Sequence, residues 1–436
     1  MDRPVEFSGR FFYNRPVAKI RIRGNHGLRL KGEVRISGSK NAVLPAIAAT
    51  LLTSEEVRLR NVPLVTDVHT MLTLVGGLGA TTSLQGNTLT ARVEKIRSDE
   101  ASYEHVRAMR ASILVLGPLL ARFGKAVVAL PGGCAIGTRP VDLHIAGLQK
   151  LGATISTEHG YVRAETDRLR GAVVEFEKKT VGGTENLLMA AALAKGETIL
   201  RNCALEPEVT DLAVLLNKMG ARIEWAEDDT VRIRGVRELG GTEHDVIPDR
   251  IETGTFLVAG ALTKGDVLLT GVEPGHVVAV VEKLRASGAS VELHGPNALR
   301  VIGRPEVKPQ DITTSPYPGF PTDMQPQFMT LLTQAAGTSI ITETIFDRRF
   351  SHVNELIRLG ASIEVQGDKA LVKGKTPLSG AEVTATDLRA SAALILAGLV
   401  ASGETVLSEL EHLDRGYENI EGKLRGLGAS LERLAG

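Results

Sequence analysis

A six-fold internal repeat is the feature of this sequence that most constrains its fold. Each copy carries a small or apolar residue followed by Gly and Ala, and the successive glycines lie 73, 68, 68, 72 and 68 residues apart. This spacing is longer than the roughly 20 to 50 residues of solenoid repeats, so each copy is expected to be a small folding unit. The repeated glycines are Gly79, Gly152, Gly220, Gly288, Gly360 and Gly428.

Each unit contains the same succession of predicted elements. A helical stretch precedes the glycine, which falls where a left-handed helix end is expected. After most of the glycines, polar and apolar residues alternate around a turn, as in 153–165, 221–235 and 361–374, which predicts a β-hairpin. Upstream lies a helix that is apolar on nearly all faces and must be largely buried. These six helices are predicted within 41–52, 110–124, 184–196, 251–265, 324–337 and 388–403.

The pattern predicts the α/β class, with the buried helices inside a ring of sheets and three units in each of two globular domains. A chain of 436 residues with 43% hydrophobic content is long enough for more than one core. Lys+Arg and Asp+Glu both number 51, which argues against a sequence-independent nucleic-acid or membrane-surface binder.

The two cysteines, Cys134 and Cys203, lie in dissimilar contexts and favour a reducing cytoplasm over a disulfide framework. Neither a signal peptide nor an apolar run able to cross a bilayer is visible in the sequence. Residues 1–17 are expected to form a loose N-terminal extension outside the fold.

Charged residues recur at or near the start of the helices. Cations at helix N-termini oppose the helix dipole, so their recurrence predicts that something anionic compensates. If the N-termini converge, they form a site for phosphates and carboxylates; the alternative is a scattered set of solvated surface charges. The aligned positions are Lys40, Arg110, Lys178 with Lys179, Arg250, Asp323 and Arg389 for the buried helix, and Arg139, Arg349 and Arg415 for the second helix.

The segment 130–144 combines a glycine loop, a thiol and a helix start. Gly132 and Gly133 allow a loop that closes over a ligand, and Cys134 can supply a proton or a nucleophile. Pro140 suits the first turn of a helix whose amides attract an anion. A surface loop with an incidental thiol is an equally open interpretation of this segment alone.

Several long blocks resemble those of the UDP-N-acetylglucosamine 1-carboxyvinyltransferase family, in the right order and from about Ala18 to the C-terminus. The resemblance implies two inside-out α/β barrels of three repeats each, with the active site in the cleft between them. It implies a first domain of 18–39 plus 249–436 and a second domain of 40–248 that carries the Cys134 loop. The blocks are 36–52, 103–124, 130–153, 248–259, 320–328, 342–353, 386–398 and 412–429.

The resemblance also implies transfer of the enolpyruvyl group of phosphoenolpyruvate to the 3'-hydroxyl of UDP-N-acetylglucosamine with release of phosphate, the committed step of peptidoglycan synthesis. Addition of the hydroxyl and elimination of phosphate need a base, an acid and cations. By resemblance, Asp323 accepts the hydroxyl proton, and Cys134 is the proton-donor or product-release residue that fosfomycin alkylates. An N-cap role for Asp323 is also compatible with its place before a helix.

The remaining site residues follow from the same resemblance. Lys40, Arg139 and Arg415 are expected to hold phosphoenolpyruvate, with Arg110 and Arg389 as supporting cations. Ser39, Thr180 and Gly183 depart from the common residues, which leaves fine details of sugar binding open. The residues expected to bind the nucleotide sugar are Asn41, Arg139, Pro140, Val141, Asp142, Leu143, Lys178, Thr180, Val181, Gly182, Asp323 and Ile345.

Partners and alternatives complete these expectations. The resemblance implies small-molecule substrates and no cofactor or metal ion, and we expect a monomer that binds neither nucleic acid nor membrane. His144 is as compatible with a helix-surface or core position as with a ligand contact. Two other functions are alternatives. One is the sibling reaction that makes 5-enolpyruvylshikimate 3-phosphate, but that family lacks the cysteine loop. The other is a catalytically silent binding protein, which has no chemical need for all of Cys134, Asp323, Lys40, Arg139 and Arg415.

Overall fold

The computed structural model describes residues 18–101, 103–106, 109–130, 141–347 and 349–434. The expected extension over 1–17 lies outside these residues. The strands are β1 (Lys19–Gly24), β2 (Lys31–Arg35), β3 (Val57–Arg60), β4 (Thr81–Gln85), β5 (Thr88–Arg92), β6 (Glu100–Ala101), β7 (Lys125–Ala129), β8 (Thr154–Glu158), β9 (Tyr161–Glu165), β10 (Val173–Glu175), β11 (Glu197–Arg201), β12 (Arg222–Trp225), β13 (Val231–Arg234), β14 (Thr242–Asp245), β15 (Asp266–Thr270), β16 (Ser290–Leu293), β17 (Ala298–Ile302), β18 (Ile312–Thr313), β19 (Thr338–Thr342), β20 (Ser362–Gln366), β21 (Lys369–Lys373), β22 (Glu382–Thr384), β23 (Gly403–Ser408) and β24 (Leu431–Leu434).

The helices include all six predicted apolar segments. In the described residues, four short 3₁₀ turns cover Thr50–Leu52, Arg110–Val115, Pro274–Val277 and Thr322–Met324. The α-helices are α1 (Lys40–Ala49), α2 (Thr66–Leu78), α3 (Tyr103–Val106), α4 (Leu116–Phe123), α5 (Asp142–Lys150), α6 (Val181–Ala192), α7 (Pro207–Lys218), α8 (Arg250–Leu262), α9 (Val278–Ala286), α10 (Gln325–Leu332), α11 (Val353–Arg358), α12 (Leu388–Val400), α13 (Glu411–Asp414) and α14 (Ile420–Gly426).

Six four-stranded sheets of one design surround these helices. In each sheet an edge pair is parallel and the other neighbours are antiparallel. A parallel pair needs a crossover, and in most units the apolar helix supplies it. The strand orders are β14-β3-β5-β4, β6-β7-β9-β8, β10-β11-β13-β12, β16-β17-β15-β2, β18-β19-β21-β20 and β22-β23-β1-β24.

The six repeated glycines end their helices as predicted. Their φ angles lie between 93° and 122°, a region that residues with a Cβ rarely adopt. The three hairpins expected after Gly152, Gly220 and Gly360 are present as β8-β9, β12-β13 and β20-β21. The last unit has only β24 after its glycine, and β1 from the N-terminal side completes that sheet.

The buried side chains form two separate hydrophobic cores. One contains residues between Ala42 and Val246, and the other contains Ile20 to Ile36 together with Ile251 to Leu431. In each core the apolar helices contact one another, as α8, α10 and α12 do, while the sheets lie outside them. Each half is therefore an inside-out α/β barrel. The exact division near Lys40 and Asp249 stays a prediction.

Two adjacent chain segments connect the barrels. Ser39 N–H donates to Ile247 O at 2.8 Å, and Asp249 N–H donates to Ser37 O at 2.9 Å. On either side of this crossing, β2 pairs with β15 in one barrel and β14 pairs with β3 in the other, so each barrel joins strands that are distant in the sequence. The crossing delivers Lys40 and Arg250 to the starts of α1 and α8, where the barrels face each other.

Candidate active site

A buried carboxylate joins cations from the two barrels. Asp67, in the first turn of α2, accepts from Arg415 Nε at 2.9 Å through Oδ1, and its Oδ2 lies 3.3 Å from Lys40 Nζ. Lys40 begins α1 directly after its N-cap Ser39, whereas Arg415 follows α13 in the other barrel. Only 3% of the Asp67 side chain is exposed. We call these three residues the Asp67 cluster.

A second carboxylate is held by two arginines of its own barrel. Asp323 Oδ1 lies 2.8 Å from Arg349 Nη1, and its Oδ2 accepts from Arg389 Nε at 3.1 Å. Both arginines are almost fully buried, but 27% of the Asp323 side chain is exposed. We call these three residues the Asp323 cluster. The N-cap positions at this helix start are Pro321 and Met324, so Asp323 is not the N-cap residue.

Arg389 is stabilised as a cation despite its burial. Its guanidinium carbon lies 5.4 Å from the centre of the Tyr417 ring. Burial opposes the charge, but Asp323 and then Tyr417 outweigh it and hold the pKa of Arg389 above its ordinary value. The Tyr417 hydroxyl is fixed in turn by Thr255 Oγ1 at 3.0 Å. The charges of the Asp323 cluster are therefore held in place before any substrate binds.

The two clusters are close enough to share one electrostatic environment. Burial lowers the pKa of the Lys40 ammonium, Asp67 opposes this shift, and Arg389 and Arg415 add to it. Asp323 is also among the charges that act on Lys40. Lys40, Arg389, Arg415 and Asp323 therefore surround one place in the cleft, where an anion would relieve the repulsion among the cations.

Another group of expected residues gathers where α5 and α6 meet. Thr180 caps α6 by accepting from Gly183 N–H at 3.2 Å, and a Cβ placed on Gly182 would lie 3.2 Å from His144 Cε1. At these helix starts Lys178, Val181 and Asp142 are exposed, Leu143 is half-buried and Val141 is buried. Asn41 in α1 and Ile345 after β19 are half-buried. The start of α6 and the start of α5 thus face the same region.

His144 is a core residue. It is buried, and its Nδ1 lies 3.0 Å from Asn186 Nδ2 on α6. Burial lowers the pKa of His144 to about 4, and the charge of Arg110 adds to that shift. Arg110 begins the 3₁₀ turn Arg110–Val115. Because its charge acts on His144, this cation lies close to α5.

Three expected residues, Cys134, Arg139 and Pro140, lie outside the part of the chain that the structure describes. Among the others, Lys179 points elsewhere, because its ammonium pairs with Asp229 and donates to Cys203 O at 2.9 Å. Arg250 also has a protein partner, since its Nε donates to Glu208 at 3.0 and 3.2 Å across the interface of the barrels.

Of the carboxylates that hold the site cations, Asp323 was expected from the sequence, but Asp67 and Glu208 were not identified. Asp67 and Glu208 each lie in the first turn of a second helix, where the dipole favours an acid for local reasons and gives no sign of a distant partner. Glu343 lies within the block 342–353, but the resemblance assigns it no role. Arg349 was expected among the recurring helix-start cations, but its pairing with Asp323 was not.

Comparisons with known proteins agree with this architecture. A family profile for EPSP synthase (3-phosphoshikimate 1-carboxyvinyltransferase) matches residues 25–424. The solved enolpyruvyl transferase NikO from Streptomyces tendae has a TM-score of 0.86 and 28% identity, over 97% of this chain and 100% of that chain. EPSP synthase from Acinetobacter baumannii has a TM-score of 0.73 at 19% identity, over 96% of this chain and 100% of that chain, which concerns the fold alone. The class defined by this fold is that of the enolpyruvyl transferases.

Two curated relatives are much closer in sequence. UDP-N-acetylglucosamine 1-carboxyvinyltransferase of Koribacter versatilis is 55% identical over 422 residues, covering 95% of this chain and 96% of the relative. The protein of the same name from Solibacter usitatus is 55% identical over 409 residues, covering 94% and 98%. The chain belongs to the UDP-N-acetylglucosamine 1-carboxyvinyltransferase family.

Proposed function

We propose that this protein transfers the enolpyruvyl group of phosphoenolpyruvate to the 3'-hydroxyl of UDP-N-acetylglucosamine, the first committed step of peptidoglycan synthesis. Family membership supports the reaction. The observation that carries the proposal is the meeting of two ion-paired carboxylates around Lys40, because it sets cations and an accessible carboxylate side by side. An anionic enol ester and a sugar hydroxyl are the reactants that such a site suits.

The Asp67 cluster is the proposed binding place of phosphoenolpyruvate. Lys40 and Arg415 approach from opposite barrels, so one anion can contact both sides of the cleft. Arginine offers a planar fork that matches carboxylate or phosphate, and lysine offers a compact point charge. Arg139 is the third proposed contact, while Arg110 and Arg389 add positive potential.

Asp323 is the proposed acceptor of the hydroxyl proton. Arg349 and Arg389 fix its two oxygens, and its exposed fraction of 27% lets a substrate hydroxyl reach it. The sugar oxygen bonds to C2 of phosphoenolpyruvate while an acid adds a proton to C3. Loss of a proton from C3 then re-forms the double bond and expels phosphate from C2. We assign the acid role to Cys134, for which Cys134→Asp should retain turnover but lose inactivation by the epoxide fosfomycin.

The nucleotide sugar is expected to lie between the starts of α5 and α6 and the segment at Ile345. Thr180 and Gly182 lie beside His144, and Ile345 is attached to the Asp323 side through Glu343. We propose further that the protein acts as a monomer in the cytoplasm. In the described part of the chain, no helix has the length and apolar character needed to span a bilayer.

The direct test is phosphate release from phosphoenolpyruvate by the purified protein, with UDP-N-acetylglucosamine, with shikimate 3-phosphate, and with neither acceptor. Release that requires the sugar nucleotide is the expected result. Release with shikimate 3-phosphate would instead assign the synthesis of 5-enolpyruvylshikimate 3-phosphate to this protein. No release with any acceptor would favour a binding protein. Sedimentation of the same sample measures its oligomeric state.

A further inference from the structure

Glu343, at the end of β19, is a buried carboxylate whose role the reaction above leaves unassigned. The residue is 4% exposed. Its Oε1 accepts from Ile345 N–H at 2.9 Å, Phe346 N–H at 3.2 Å and Thr314 Oγ1 at 2.9 Å. Its Oε2 accepts from Thr322 Oγ1 at 2.9 Å. Four donors converge on one side chain, as an acceptor-only carboxylate allows.

One oxygen of Glu343 fixes the segment that contains Ile345. The neighbouring Thr344 adds two contacts to the end of β18, since its N–H donates to Thr314 Oγ1 at 2.9 Å and its hydroxyl donates to Thr314 O at 2.6 Å. The backbone of 344–346 is therefore bound both to Glu343 and to Thr314. This segment carries the proposed nucleotide-sugar contact at Ile345.

The other oxygen of Glu343 leads to the Asp323 cluster. The Thr322 hydroxyl donates to Glu343 and accepts from Arg349 Nη1 at 3.0 Å, and the same Nη1 lies 2.8 Å from Asp323 Oδ1. Thr322 can serve both partners because a hydroxyl is a donor and an acceptor. Glu343 thus determines the direction of the hydroxyl that holds Arg349.

We propose that Glu343 is a positioning residue for the nucleotide sugar, which fixes the Ile345 segment and, through Thr322 and Arg349, the orientation of Asp323. The proposal rests on the proposed function, since it deepens the sugar side of the same site. Glu343 is separated from the substrate by the residues that it orients. Its loss should therefore affect the sugar and the proton transfer more than phosphoenolpyruvate binding.

Replacement of Thr322 tests the connection to Asp323 without removing the buried charge. Thr322→Val keeps the shape and deletes the hydroxyl, so Arg349 loses one partner and Glu343 loses another. A buried group that loses its hydrogen bond is destabilised by roughly a factor of ten in an equilibrium constant. We expect kcat/KM for UDP-N-acetylglucosamine to fall about tenfold or more, with KM for phosphoenolpyruvate within about twofold.

Glu343→Gln tests the carboxylate itself. The amide oxygen can still accept from the Ile345 side, but the amide N–H₂ then faces Thr322 and reverses the direction of its hydrogen bond. The same larger effect on UDP-N-acetylglucosamine than on phosphoenolpyruvate is expected. Thr322→Ser, in place of Thr322→Val, keeps the hydroxyl and should restore kinetics close to those of the original protein. Glu364→Gln on exposed β20 is the matched control and should leave both KM values unchanged.

The outcomes separate the two proposals. If the unmodified protein does not use UDP-N-acetylglucosamine, the proposed function and the role of Glu343 both fail. If it does, equal effects on the two substrates, or no effect of Thr322→Val, would overturn only the positioning role. Failure of Thr322→Ser to restore the kinetics would also overturn it, because the serine hydroxyl supplies the same contacts. Thermal melting identifies any variant that is unfolded.

Discussion

Asp67 and Asp323 are two carboxylates that each hold two cations, yet they are placed very differently. Asp67 is 3% exposed and joins residues of opposite barrels, whereas Asp323 is 27% exposed and joins two arginines of one barrel. The cations of the Asp67 cluster are the more accessible partners, since 35% of Arg415 is exposed. In the Asp323 cluster the carboxylate is the accessible partner and the cations are buried.

Because of this difference in exposure, the two clusters have different roles although their ion pairs are similar. A carboxylate hidden behind its cations can orient them but cannot meet a substrate hydroxyl. A carboxylate in front of its cations can accept a proton while the buried arginines hold it in place. The Asp67 cluster therefore presents positive charge to an anion, and the Asp323 cluster presents a base to a hydroxyl.

Asp323→Asn should have the largest effect on turnover. The amide cannot take the hydroxyl proton, and loss of a positioned base typically lowers the rate by about 10² to 10⁴. Rapid-quench measurement of phosphate release with both substrates saturating gives kcat directly. Asp368→Asn, in the exposed turn between β20 and β21, is the control. A kcat within tenfold of the original would remove Asp323 as the base.

Asp67→Asn should act mainly on phosphoenolpyruvate binding. The amide leaves Lys40 and Arg415 without their shared negative charge, so the two cations repel and lose their common orientation. We expect KM for phosphoenolpyruvate to rise by about tenfold to a hundredfold, because one to two hydrogen-bonded charge contacts are lost. Initial rates at varied phosphoenolpyruvate measure this. A loss of kcat equal to that of Asp323→Asn would abolish the contrast between the two clusters.

How much of this site was predictable depends on the distance over which each signal acts. The repeated glycines, hairpins and apolar helices were predicted correctly because helix ends, turns and periodicity are local. The pairing of Asp67 with Arg415 spans 348 positions and depends on how two barrels face each other. The pairings of β2 with β15 and of β14 with β3, each within one barrel, are similarly long-range, and no local pattern encodes them.

The helix-start cations show the same limit in another form. The dipole argument predicted that an anion compensates Lys40, Arg250 and Arg389. In the structure their compensating groups include protein carboxylates, namely Asp67, Glu208 and Asp323. Charge balance could be predicted from helix physics, but the identity of the compensating group required the fold.

The pH dependence of phosphoenolpyruvate binding should sharpen the contrast further. Burial lowers the pKa of Lys40, and Asp67 is the main opposing influence. Folding therefore disfavours the protonated lysine, and the free energy of unfolding rises with pH between the folded pKa and the ordinary value of 10.5. As pH increases, KM for phosphoenolpyruvate should begin to rise at a pH below 10.5, where Lys40 loses its proton. Asp67→Asn should move this rise to lower pH. An unchanged pH profile in this variant would show that Asp67 does not control the protonation of Lys40.

His352 gives the smallest expected effect, and it concerns the Asp323 side. It is fully buried, and burial lowers its pKa to about 4, with Arg349 adding to the shift and Asp387 opposing it. Between pH 6.5 and about pH 4, His352 is protonated in the unfolded chain but neutral in the folded protein. The free energy of unfolding therefore falls as the pH is lowered through this range. The limit of this loss is about 3 kcal/mol.

Urea unfolding at pH 7 and pH 5 should show this loss, and His352→Gln should flatten the difference. His144→Gln is the matched comparison, because burial also lowers the pKa of His144 to about 4 at a place beside α6. Both variants should flatten the acid slope of stability. Only His352 lies next to Arg349, so only His352→Gln should also reduce the acid sensitivity of kcat. Equal kinetic effects of the two variants would mean that the acid limb reports general stability and does not distinguish the Asp323 cluster.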